Sequence, residues 1–152
     1  MTPRVTAVLF ALGLAVGCDG NCAVGYSYNV EQRHFPTREA ASTAHEDAWL
    51  PDFLPPSAYD IHVWENGDSG SERGAARFDP RELQAVERSL QAWRREAAIP
   101  PAADFEWWPV DCRQSSTTGG VSLDTYVAEA PSARALAIRP DTGVMCWWST
   151  DA

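Results

Sequence analysis

The alternation of apolar and polar residues predicts a strand in the middle of the chain. Across residues 59–65, Tyr59, Ile61 and Val63 fall on one face, while the intervening positions are mostly polar. A period of two residues is typical of a strand with one buried face. Residues 66–74 are rich in glycine, serine and charge and predict a loop, after which residues 75–78 predict a short returning strand.

The apolar period changes to three and four residues after Asp79, which predicts the main helix over residues 80–98. Asp79 is a good N-cap, and Pro80 suits the first helical position. The helix should end before Pro100. One apolar stripe along it consists of Leu83, Val86, Leu90, Trp93 and Ala97. A shorter helix is predicted after Thr37, through Ala40, Ala41, Ala44 and Ala48.

The second half of the chain reads as strands at residues 105–110, 121–127, 135–139 and 144–149. The last two flank Pro140-Asp141-Thr142-Gly143, in which proline fixes one backbone angle and glycine supplies a positive one, so a hairpin is predicted. We therefore expect an α+β domain. It would be an antiparallel sheet of about four to six strands with the main helix packed on one face.

The N-terminal segment reads as an export signal. Arg4 precedes an apolar run over residues 5–16, which is shorter than the roughly 20 residues that span a bilayer. The closing sequence Ala15-Val16-Gly17-Cys18 resembles the lipobox of bacterial lipoproteins, although that family favours leucine where Ala15 stands. The resemblance implies cleavage before Cys18 and a diacylglyceryl group and an N-acyl chain such as palmitate on that residue.

The resemblance also implies a localisation. With two or more acyl chains the mature protein would be stably anchored at a membrane of the cell envelope, facing an oxidising compartment. Asp19 resembles an inner-membrane retention signal of some lineages, and the choice between inner and outer membrane stays open. The alternative is an ordinary secretory signal that leaves Cys18 as a thiol able to pair with Cys22. The predicted organisation is a signal peptide at 1–17, a lipidated cysteine and tether at 18–36, and one domain at 37–152.

The net charge of the chain limits the kinds of partner that can be expected. The chain has 152 residues and a net charge of −9, and without residues 1–17, which include Arg4, 11 basic and 21 acidic residues leave −10. Nucleic acid is therefore not an expected partner, because phosphate binding needs clustered cations. A membrane contact would come through the lipid anchor.

The remaining cysteines predict one disulfide. Cys112 and Cys146 both lie in the domain beside aromatic residues, and a bridge between them would close a loop of about 35 residues. Cys22 would then be unpaired in the tether. No two cysteines have the spacing of a zinc or thioredoxin-like site.

Short motifs that match catalytic signatures have simpler explanations. Gly67-Asp68-Ser69-Gly70 matches the surroundings of a protease serine, but the chain is too short for that fold and a polar turn explains it. The triplet Asp141-Thr142-Gly143 matches aspartic proteases, which need two copies, and a hairpin tip explains the single copy.

Histidines and carboxylates offer weaker candidates. His34, His45 and His62 are the only histidines, and none has a second histidine at a metal-ligand spacing, so no metal and no further cofactor is expected. Asp60 and His62 should point the same way from one strand, which permits an acid-base or metal site, although ordinary polar cover is the simpler explanation.

Seven tryptophans are many for this length, and those that strand alternation could expose form a candidate binding surface. Such side chains stack on sugar rings or anchor protein partners, although packing of the second sheet face is the competing explanation. The candidates are Trp64, Trp107, Trp108, Trp147 and Trp148.

Residues 49–61, followed by Arg77-Phe78, resemble small uncharacterised exported bacterial proteins, which implies an α+β domain and brings no catalytic residues. The sequence thus favours a membrane-anchored, non-enzymatic domain that binds a protein or glycan of the envelope. The alternative is an envelope hydrolase acting on peptidoglycan or another glycan through paired carboxylates, either Asp60 with Glu65 or Asp111 with Asp124.

Overall fold

The computed structural model describes residues 29–44, 46, 50–98, 100–101, 105–113, 123–128 and 133–150. Within them the chain forms one antiparallel sheet of seven strands in the order β1-β2-β3-β7-β6-β5-β4. The strands are β1 (Val30–Thr37), β2 (Tyr59–Asn66), β3 (Ser71–Arg77), β4 (Arg94–Arg95), β5 (Asp124–Val127), β6 (Arg134–Arg139) and β7 (Val144–Ser149). The helices are α1 (Arg38–Thr43), α2 (Leu83–Ser89) and α3 (Val110–Arg113), and a 3-10 turn at Pro80–Glu82 leads into α2.

One face of the sheet, called here the helix face, carries the main core. Ile61 and Val63 of β2 pack in one cluster with Ala41 of α1 and with Val86 of α2. Trp147 of β7 is fully buried in the same cluster, over Gly74 of the paired strand. An added Cβ at Gly74 would lie 2.1 Å from that indole ring, so the close approach requires glycine.

The opposite face, called here the disulfide face, is covered by residues 105–113. Trp108 and Cys112 pack there against Ala75 of β3 and against Val144 and Cys146 of β7. The predicted disulfide between Cys112 and Cys146 is confirmed, and both residues are buried. It ties residues 105–113 to the sheet.

The predicted fold class is wrong in its balance of helix and sheet. The sheet has seven strands and only small helices, and the main helix predicted over residues 80–98 ends with Ser89. After Leu90 the chain turns, and Arg94–Arg95 pair with Val127 and Tyr126 as an edge strand. These sheet bonds replace the helical ones and satisfy the edge of β5. The turn also brings Trp93 into edge contact with Phe53, with ring centres 5.6 Å apart.

Two further expectations differ from the structure. Residues 105–110 are not a strand, because Trp108 N–H donates to the Phe105 carbonyl and Cys112 N–H to the Pro109 carbonyl, which makes turns that lead into α3. The strand β1 begins at Val30 and pairs with β2, so residues 30–36, which the sequence predicts to lie in the tether, belong to the sheet.

Several elements are confirmed. The hairpin of β6 and β7 turns at Gly143, whose φ is +65°. Strand β2 lies where the alternation predicted it. The Thr37 side chain caps α1 by accepting from Ala40 N–H at 3.1 Å, although the helix is shorter than predicted.

No helix in the described part of the chain is long and apolar enough to span a membrane.

Candidate functional site

The pairing of β1 with β2 brings two histidines together on the disulfide face. His34 of β1 stands directly opposite His62 of β2. Their rings stack with centres 4.3 Å apart and planes inclined by 17°. His34 was not predicted to belong to any site, because its partner lies 28 positions away in the sequence and is chosen by strand pairing alone.

Asp60 completes this cluster through an unusual backbone conformation. It is the only described non-glycine residue with a positive φ, at +48°, and it lies where the pairing of β2 with β3 shifts register. Such a conformation costs about 1–3 kcal/mol and persists only where the surroundings impose it. Here it accompanies a carboxylate whose Oδ1 lies 3.2 Å from His34 Nε2 and 3.1 Å from His62 Nε2.

The ionisation of the cluster follows from burial and these hydrogen bonds. Burial acts to raise the pKa of Asp60, but hydrogen bonds and charge from His62 and His34 outweigh it, so the pKa lies below its usual value of 3.8. Burial lowers the pKa of His62 below 6.5, and the opposing effect of the hydrogen bond that His62 donates to Asp60 does not fully compensate. An ionised aspartate beside a neutral His62 is therefore the state at neutral pH.

A stack of rings continues from His62 along the disulfide face. The Trp107 ring is nearly parallel to the His62 ring, with ring centres 5.2 Å apart, and to the Phe105 ring, with ring centres 4.9 Å apart. The ring centres of Phe105 and Trp64 lie 5.6 Å apart, and the guanidinium carbon of Arg73 lies 5.5 Å from the centre of the Trp64 ring. Residues 105–107 are thus fixed on the sheet by stacking as well as by the nearby disulfide.

A pocket of about 210 Å³ opens between this segment and strands β2 and β3. It is smaller than the 300–1,000 Å³ usual for drug-sized ligands, so it suits a side chain or another compact group. Val110 at its rim is 64% exposed, and the Nε1 of buried Trp108 has no hydrogen-bond partner among the described residues. The lining combines aromatic, apolar and charged groups: Asp60, His62, Ala75, Ala76, Arg77, Glu106, Trp107, Trp108, Pro109 and Val110.

Most of the tryptophans proposed as a binding surface are structural. Trp108, Trp147 and Trp148 are buried, at 1%, 0% and 6% exposure. Trp147 also donates from Nε1 to Glu72 Oε1 at 2.7 Å. Trp64 and Trp107 are partly exposed, and Trp107 is stacked with both His62 and Phe105, which leaves less of its ring for a ligand.

The structure does not assemble either carboxylate pair of the hydrolase alternative among the described residues. Asp60 bonds the two histidines on the disulfide face, while Glu65 lines a separate cavity with Val63 on the helix face. Asp111 pairs with Arg139 and Asp124 with Arg95.

The two protease-like motifs both lie in turns. Asp68 accepts from Asn29 N–H at 3.1 Å, and Asp141 accepts from Arg139 Nε at 3.1 Å. Cys18, Cys22 and His45 lie outside the described residues.

Comparison with known protein families matches the first part of the described chain. Residues 29–79 match the YbbD head domain family, about a third of the chain, and this match indicates a small bacterial protein of the exported, envelope-associated type. The matched region contains His34, Asp60 and His62, but not the segment with Trp107 and Trp108. No curated protein and no solved structure matches the chain.

Proposed function

We propose that this chain is a lipid-anchored, non-enzymatic binding domain of the cell envelope, and that it holds a protein partner at the pocket on the disulfide face. The observation that carries the proposal is the pocket itself. An exposed Val110 and the Trp108 wall offer apolar contact, while Asp60, His62, Arg77 and Glu106 supply polar groups at the same opening.

The chemistry of the pocket favours one inserted side chain. Its volume of about 210 Å³ admits a compact group, and the apolar wall suits the stem of that group. The charged groups at the opening, Asp60, Arg77 and Glu106, would contact the polar end of that side chain.

A protein partner is favoured over a glycan because of the ring geometry. Sugar recognition by aromatic residues needs an open ring face, whereas Trp108 is 1% exposed and Trp107 is stacked with both His62 and Phe105. The exposed residues at the pocket are instead the aliphatic Val110 and the charged Asp60, Arg77 and Glu106, a mixture suited to contact with another protein surface.

Lipidation at Cys18 would place the pocket close to the membrane. Twelve peptide steps separate Cys18 from Val30, where the sheet begins, and these reach at most about 40 Å when fully extended. The partner would therefore be a membrane protein or a component adjacent to the same membrane.

Site-specific photo-crosslinking in the native envelope tests partner binding. A photoreactive residue at Val110 should capture a defined protein, whereas the same probe at Val30, which is exposed on β1, should not. Adding Trp108→Phe, which reshapes the pocket wall by replacing the indole with a smaller ring, should reduce capture at Val110. Equal capture from both positions would refute the proposed binding surface. So would capture at Val110 that Trp108→Phe leaves unchanged.

The anchor is tested separately. Cys18→Ala should prevent cleavage and lipid attachment, seen as a precursor mass, whereas Cys22→Ser should leave both unchanged. A wild-type protein whose mature N-terminus carries no lipid by mass spectrometry would disprove the anchor while leaving the pocket untouched.

A further inference from the structure

We propose that His34, Asp60 and His62 form a binding site for a zinc ion at the edge of the pocket. Each residue offers one ligand atom, and these three atoms all lie within 4.8 Å of one another. The proposal stands on these side chains alone and does not require the pocket to bind a partner.

The spacing of the ligand atoms is close to that of a zinc site. With bonds of about 2.0–2.1 Å, tetrahedral geometry separates neighbouring ligand atoms by about 3.3 Å. The Asp60 Oδ1 lies 3.2 Å from His34 Nε2 and 3.1 Å from His62 Nε2. The two nitrogens therefore converge on one carboxylate oxygen at nearly the separation that a shared ion requires.

The rings must tilt for both to bind, since a metal lies in the plane of an imidazole that coordinates it. The two planes are inclined by only 17°. His62 is also stacked with Trp107, which holds its ring in place, whereas the His34 side chain is 54% exposed and has room to rotate. We therefore assign the adjustment to His34, with His62 and Asp60 as the preset ligands.

The surroundings of Asp60 and the positions of the histidine protons are compatible with replacing the two hydrogen bonds by bonds to zinc. Arg77 Nε lies 3.7 Å from Oδ2, which leaves Oδ1 to face the histidines. An ionised carboxylate only accepts hydrogen bonds, so each Nε2 carries a proton in the metal-free cluster. In the zinc-bound cluster each ring would carry its proton on Nδ1, the Nε2 protons having been lost to water, and the two Nε2 lone pairs would be ligands.

The donor set selects the metal class. Two imidazole nitrogens with one carboxylate oxygen suit zinc and similar transition ions, whereas magnesium and calcium prefer sites built from oxygen. Three protein ligands leave one tetrahedral position for water or for a group of a bound molecule. Because Asp60 and His62 also line the pocket, that position would lie at its opening.

Calorimetric titration of the full chain with zinc tests the site, with free thiols alkylated under non-reducing conditions so that cysteine cannot bind the ion. We expect one zinc per chain and no comparable binding of magnesium. His34→Gln and Asp60→Asn should each weaken zinc binding by at least about tenfold. Even mutations of residues that only support a metal's ligands commonly cause a loss of this size. The matched control is His45→Ala, at the only other histidine in the chain.

His62→Phe separates coordination from packing, because phenylalanine keeps the ring stacked on Trp107 and removes the nitrogen ligand. It should retain the near-ultraviolet circular dichroism of the wild type and lose zinc binding. In the wild type, zinc should shift the ring resonances of His34 and His62 in NMR spectra. Absence of zinc binding at millimolar concentration, or binding that the His34, Asp60 and His62 variants leave unchanged, would overturn the proposal.

Discussion

The disulfide between Cys112 and Cys146 should supply much of the stability of the disulfide face. It closes a loop with a sequence separation of 34, for which chain entropy gives about 4 kcal/mol. The buried Trp108 provides a second attachment, since hiding 150–250 Å² of an aromatic side chain is worth about 4–6 kcal/mol. We therefore expect the double variant Cys112→Ala/Cys146→Ala to fold, but with its free energy of unfolding lowered by about 4 kcal/mol.

Urea and thermal unfolding followed by circular dichroism measure this loss. For a domain of this size, about 4 kcal/mol corresponds to a fall in Tm of about 10–20 °C. Reducing agent should lower the Tm of the wild type similarly and leave the double variant unchanged, and Cys22→Ser is the matched control. Trypsin should also cleave after Arg113 faster in the double variant. A double variant within about 1 kcal/mol of the wild type would refute the reasoning and leave packing as the sole attachment of residues 105–113.

Two further predictions concern the helix face and a helix cap. Gly74→Ala would set a Cβ 2.1 Å from the buried ring of Trp147, so urea unfolding should show a loss of about 3 kcal/mol. Gly67→Ala is the matched control, because its Cβ would meet mainly the exposed Asn29 side chain, and it should change stability by under about 0.5 kcal/mol. Hydrogen bonds from the Arg81 side chain and backbone lower the pKa of Asp79 to about 2, so NMR titration should show a midpoint there that rises towards 3.8 in Arg81→Ala. Because the folded-state pKa is depressed, this contribution to stability is present above pH 3.8 and is lost as the pH falls towards 2; a normal midpoint in the wild type would contradict it.

Local patterns predicted those parts of the fold that depend on neighbouring residues. The hairpin of β6 and β7 follows from the turn around Gly143, where a Cβ would lie 2.1 Å from the Phe78 carbonyl oxygen. The cap at Thr37 and the alternation in β2 are equally local. Pairing of Cys112 with Cys146 could be predicted because few other cysteines were available.

The parts of the fold that could not be predicted depend on pairing between strands that are distant in the sequence. Strand β1 buries only Phe35 among its eight residues, so it lacks the apolar alternation that marks a strand, and His34 could not be placed opposite His62. The apolar stripe beyond Leu90 favours a helix, but Arg94–Arg95 pair with the edge of β5 instead. The candidate site therefore depends on contacts that no single stretch of sequence encodes.

The position of β1 at the rim of the sheet has a consequence for solubility. β1 is the outermost strand of the sheet that the described residues form, and such a strand exposes a row of backbone donors and acceptors that a second copy can extend. If the proposed lipid anchor crowds the molecules on a bilayer, they would meet often. Pro36 has no N–H to offer, and Glu31 and Arg33 place charges along the same strand. This composition discourages edge-to-edge aggregation, so a high surface density of the protein need not lead to fibrous assembly.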